Sequence, residues 1–142
     1  MSSVVYNVAK EKMGEGGFDP VNDTIHCLLL DALTTTPDDP DHEFVADIVA
    51  DEGADGTYSR QTLGTKTGTR NDTDDRWEFD CANIVYSSLA GGFGTVLMAI
   101  IYTLVTNDAA SWLISSHDIA NTLPDGTDFT LIVGANGAVH IT

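Results

Sequence analysis

Positive charge is what this chain has least of. Six basic side chains, Lys10, Lys12, Arg60, Lys66, Arg70 and Arg76, stand against 22 acidic ones in 142 residues, and none follows Arg76. A formal charge of −16 repels phosphate backbones and anionic lipid surfaces, so neither nucleic acid nor a membrane is an expected partner. Cysteine is almost as scarce. Cys27 and Cys81 are too few for a disulfide framework and lack metal-type spacing. They read as two small buried hydrophobes, with a single bridge between them as the alternative. Long hydrophobic runs are missing too: the most apolar stretch, 96–105, is about half a membrane span and fits a core strand or a subunit interface, with the core favoured. The first nine residues lack the basic start and continuous apolar stretch of a signal peptide.

Catalytic signatures are also lacking. The sequence has no Gly-x-Ser-x-Gly elbow, no Walker loop, no His-Glu-x-x-His helix and no Cys-x-x-Cys pair. His26, His42, His117 and His140 are scattered without ligand spacing, and Gly91-Gly92-Phe93-Gly94 has no cation after it to help hold a phosphate. No catalytic residue and no cofactor is assigned, and the expectation is a protein that is not an enzyme.

What the chain does have is a core. It is 42% hydrophobic, with two Trp, four Tyr and five Phe, and disordered acidic chains lack such content. A folded domain with a halophile-type surface reconciles that core with the charge, because concentrated salt screens the repulsion. At this length one domain, residues 1–142, is expected. Asp72, Asp74 and Asp75, after Asn71, resemble half of a calcium loop. The glycine position is Arg76, however, and no bidentate Glu follows, so they are weak metal candidates beside a solvated acidic turn.

Val4, Val5, Val8 and Met13 lie near helical spacing and Gly14-Glu15-Gly16-Gly17 stops them, which predicts an N-terminal helical segment over 1–16. The apolar run 24–33 predicts a strand buried on both faces, followed by a Thr/Asp/Pro loop over 34–41. Phe44, Val45, Ile48 and Val49 suggest a second short helix near 42–50, capped by Asp41. Beyond Gly53 the pattern is short strands at 58–63, 66–70, 76–80, 84–89, 112–115, 128–133 and 138–141, with the apolar run from residue 95 among them. Asn136-Gly137 predicts a tight hairpin turn joining the last two. The expected class is all-β, a mostly antiparallel sandwich or small barrel with one or two short helices.

The order of several short motifs carries a resemblance. Gly17-Phe18-Asp19-Pro20-Val21-Asn22-Asp23-Thr24-Ile25 runs into the apolar strand from Cys27. Gly56-Thr57-Tyr58-Ser59-Arg60-Gln61-Thr62-Leu63 and Trp77-Glu78-Phe79-Asp80-Cys81-Ala82-Asn83 follow, then Asp125-Gly126-Thr127-Asp128-Phe129-Thr130 and finally Ala135-Asn136-Gly137-Ala138-Val139. This succession, over residues 3 to 141, resembles a family of small virion structural proteins of tailed viruses, whose placed members are similar to capsid decoration or minor capsid proteins. The family usually has a basic residue where this chain has His26, and often Trp where it has Val133. Such lost basic residues fit a virus of haloarchaea.

The resemblance implies a non-enzymatic role on the virion surface. The expected partners are the major capsid protein and further copies of the chain itself, most simply as a trimer at three-fold lattice positions. The docking face would be the least acidic one, drawn from Lys10, Lys12, Arg60, Lys66, Arg70 and Arg76. Two alternatives stay open: a tail or head–tail connector component, and a calcium- or sugar-binding β-domain.

Overall fold

The segment Ile25-His26-Cys27-Leu28-Leu29-Leu30 has one polar side chain in six, too few for a strand with a wet face, and it lies inside the largest sheet. The computed structural model of the chain describes residues 3–134 and 138–141. In chain order these form β1 (Val4–Val5), α1 (Asn7–Gly14), β2 (Ile25–Leu30), β3 (Gln61–Thr62), β4 (Thr67–Asn71), β5 (Arg76–Asp80), β6 (Ile84–Tyr86), β7 (Val96–Thr103), β8 (Leu113–Thr122), β9 (Phe129–Leu131) and β10 (Val139–Ile141). Five strands make one sheet in the order β1-β8-β7-β2-β3, three make a second, β10-β5-β4, and β6 and β9 make a third. Every strand pairing is antiparallel. The fold is all-β with a short N-terminal helix.

β2 and β7 pair over their full common length, from Ile25 opposite Thr103 to Leu30 opposite Met98. Side chains alternate across a sheet, yet nearly all of both strands is buried, so both faces are covered. On one face Cys27, Ala99 and Ile101 look towards Ile84, Phe129 and Leu131 of the small sheet. Tyr86 ties the two layers together by donating its hydroxyl to the Cys27 carbonyl at 2.9 Å. α1 packs along β8 through its buried Val8 and Ala9. The apolar run after residue 95 is thus a core strand up to Thr103, with Leu104 and Val105 partly exposed beyond it. Cys27 and Cys81 are buried free thiols, in keeping with their reading as small hydrophobes.

Several expected elements take another form for identifiable reasons. The helix begins only at Asn7. Val4 and Val5 instead pair with Ser116 and Ser115, and the Tyr6 amide bonds the Ile114 carbonyl at 3.0 Å, because β-branched residues beside an open sheet edge gain more from pairing than from a helical turn. No α-helix forms near 42–50. The segment makes two 3₁₀ turns, Val45–Asp47 and Val49–Asp51, since the Val45 and Ala46 amides are taken by the Ser111 and Asp108 carbonyls. Asp41 is not its cap; Asp47 reaches back to the Glu43 and Phe44 amides at 3.0 and 2.9 Å. The expected final hairpin is also replaced. β9 pairs with β6 and β10 with β5, so the last two strands belong to different sheets, while the Asn136-Gly137 turn lies outside the described residues.

Candidate docking surfaces

Five of the six cations have partners within the chain. Arg60 precedes β3 and is clamped by two carboxylates, with Glu52 at 2.6 Å and Asp108 at 2.6 Å. Its guanidinium also lies 5.6 Å from the centre of the Tyr102 ring. The hydrogen bonds it donates to Glu52 and then to Asp108 hold its pKa above the usual arginine range, against the pull of burial. Glu52 further accepts from the Tyr58 hydroxyl at 2.7 Å, and Tyr58 in turn accepts from the Leu29 amide. Arg60 therefore joins the 3₁₀ turns, β2 and the loop after β7, and it is not a side chain held out for a partner. Gly53 sits in this corner because a Cβ there would stand 2.4 Å from the Phe93 ring.

Arg76 is likewise committed, at 2.8 Å from Glu78 and 3.2 Å from Asp74. Lys66 donates to the Asp23 carbonyl. Lys12 lies 3.8 Å from Glu15, and Lys10 is exposed on α1. Arg70 stands out in solvent, 81% exposed, paired with the equally open Asp72 at 2.6 Å.

Arg70 belongs to an arm formed by β4 and β5. The register runs from Thr67 opposite Asp80 to Asn71 opposite Arg76, and the 72–75 turn closes it. Asn71 shapes that turn by accepting from the Thr73 and Asp74 amides at 3.0 and 3.1 Å. β4 ends its sheet, and four of its five residues are exposed. The calcium-like carboxylates of this turn are occupied by cations of the arm itself, Asp72 by Arg70 and Asp74 by Arg76. Among the described residues no three His, Cys, Asp or Glu side chains converge as a metal site.

One carboxylate has a clear structural task that sequence reading missed. Asp51 is 1% exposed and accepts from Thr34 Oγ1 at 2.5 Å, the Thr35 amide at 2.7 Å and Thr35 Oγ1 at 2.6 Å. Burial raises its pKa, but these hydrogen bonds together outweigh burial and leave it below the ordinary carboxylate value. The only sequence signal was a Thr-rich loop upstream of an Asp in an apolar setting, which is not specific.

A groove of about 490 Å³ opens between β8 and β9, walled by Ile84, Ile101, Ile119, Phe129 and Leu131, with His117 at its side. His117 Nε2 lies 2.9 Å from Ser115 Oγ. Ser115 is buried and does not line the groove, so this contact is a bond along one strand and gives no approach to a hydroxyl nucleophile. His26 sits between Thr62 Oγ1 and the Tyr102 ring, and His42 bonds the Thr35 carbonyl at 2.9 Å, both as parts of the fold. No described helix is long and apolar enough to cross a membrane.

No family model, curated protein or solved structure matches the chain.

Proposed function

We propose that this chain is a non-enzymatic structural subunit of a virion, a capsid decoration protein of a haloarchaeal tailed virus that docks on the capsid lattice as an oligomer. The reading rests on the motif order of the sequence. In the fold, the acidic surface together with exposed apolar side chains and strand edges supports it. The chain carries −16, and two of its six cations, Arg60 and Arg76, are spent on internal carboxylates. The outer parts hold short strand edges and exposed apolar side chains such as Ile132 and Leu123. Of the six cations, Lys10, Lys12 and Arg70 are the most open to a lattice contact, since Lys12 and Arg70 hold only exposed carboxylates while Arg60 and Arg76 are clamped by less exposed ones. A repeated array also lets weak single contacts hold firmly.

Cryo-electron microscopy of the virions decides the role. Density over the capsid lattice, in symmetric clusters, is the expected result. Density confined to the tail axis would make the chain a tail or connector part, and its absence from particles would end the virion reading. Salt dependence tests the halophilic component separately. Between about 0.1 M and 1 M NaCl the screening length falls from roughly 10 to 3 Å. The melting temperature of the isolated protein is therefore expected to rise across that range, and equal values at both ends would remove the halophilic argument.

A further inference from the structure

β4 is an unusual strand for so acidic a molecule. It is the last strand of its sheet, it is exposed on nearly its whole length, and its sequence Thr67-Gly68-Thr69-Arg70-Asn71 holds no acid. The surrounding arm, residues 66–76, carries three of the six cations and three aspartates, so it is neutral, and the other residues carry the full −16. Two copies meeting elsewhere bring strongly like-charged surfaces together; two copies meeting at this arm do not. An open edge also presents unpaired amide and carbonyl groups, which a second strand satisfies.

We propose that β4 is a self-recognition edge: two copies of this chain pair antiparallel through β4 about a two-fold axis at Thr69, fusing the two three-stranded sheets into one of six. The register follows from the sequence. Only the alignment that sets Thr69 opposite its own copy pairs every residue of the strand, Thr67 with Asn71 and Gly68 with Arg70. One step beyond each end, that alignment sets Lys66 against Asp72 of the second copy, twice by symmetry; the Lys66 ammonium gives one of its three donors to the Asp23 carbonyl and keeps the others, and directly opposed opposite charges favour pairing. Arg70, on β4, and Asp72, the first residue of the turn, are already 2.6 Å apart, so their charged groups lie together. The partner's Lys66 then completes an alternating row of charge. Gly68 is required by the arm itself, because the Trp77 ring fills the space that a side chain at 68 would take. The pairing is two-fold, so on a lattice of trimers it links one trimer to the next; in solution it yields even-numbered species. Its occupant is another copy of this chain whether or not the virion reading stands.

Cysteine cross-linking in about 1 M NaCl, where screening is short-ranged, tests both the edge and its register. Opposed residues of an antiparallel pair lie within the Cα separation a disulfide spans, and the buried Cys27 and Cys81 stay out of the reaction. Thr69→Cys is expected to give a disulfide-linked dimer on mild oxidation. Thr67→Cys alone is expected to stay monomeric, and Thr67→Cys with Asn71→Cys to link. Sedimentation of the unmodified chain should show even-numbered species. Asp72→Lys should weaken that association about tenfold, and adding Lys66→Asp should restore it. Equal linking of the Thr67 and Thr69 single variants would overturn the register. A chain that sediments as a monomer or as a trimer alone, with no Thr69→Cys dimer, would overturn the proposal while leaving the particle location untouched.

Discussion

Arg60 and Arg70 each face carboxylates, yet the corners that hold them are built on different physics. Arg60 is 24% exposed and meets Glu52 and Asp108 together, over an aromatic ring and beside the main sheet. Arg70 is 81% exposed and meets one open aspartate beside β4, four of whose five residues are exposed. Water and salt screen the second pair almost completely, whereas the first is screened much less, with Glu52 only 12% exposed. The same residue types therefore serve as a lock in one place and as a displayed, exchangeable charge in the other. A surface can be strongly acidic and still confine its specific contacts to the place where the acids are cancelled.

The sharpest way to break this comparison is charge reversal at both arginines. Arg60→Glu sets three carboxylates against one another in a partly buried corner and is expected to cost about 3–5 kcal/mol. Denaturant unfolding in molar salt measures it, and a loss near zero would make the corner no different from the arm. This variant also cannot report on docking, because it disturbs the fold first.

Asp51→Asn tests the buried acid next to Glu52 in the chain and is expected to cost about 1–3 kcal/mol near neutral pH, through weakened bonds to Thr34 and Thr35. The sign of its pH dependence is fixed. The folded pKa of Asp51 lies below its ordinary value of 3.8, so its contribution is complete above that value and is lost as the pH falls through the lower folded value. Melting curves of the native chain and the variant should therefore converge in acid. A gap that stays constant from neutral pH to about pH 2 would assign the loss to packing instead of charge.

The smallest effect belongs to the arm. Arg70→Glu is expected to change stability by less than about 0.5 kcal/mol, the usual size for an open surface site. A larger loss would mean that the arm is held by its charges and not by its pairing with β5.

The sequence by itself settled what depends on neighbours along the chain. The polar-free run after His26 could only be a buried strand, the 76–80 strand was placed with its observed bounds, and the acid excess set an expectation against phosphate partners without reference to any fold. It also placed the polar strand that carries Arg70, although not its position at the end of a sheet. Tertiary structure decided whatever depends on residues far apart. Val4 and Val5 left the helix because β8 offered an edge, the 42–50 segment tightened into 3₁₀ turns because Ser111 and Asp108 claimed its amides, and β9 and β10 parted into different sheets. Whether a cation is a lock or a display is of the same kind. Asp108 is 48 residues from Arg60, and their pairing arises only because β7 carries the chain back past β2. Local pattern encodes burial and period; the partners of a charge are set by where the folded chain returns.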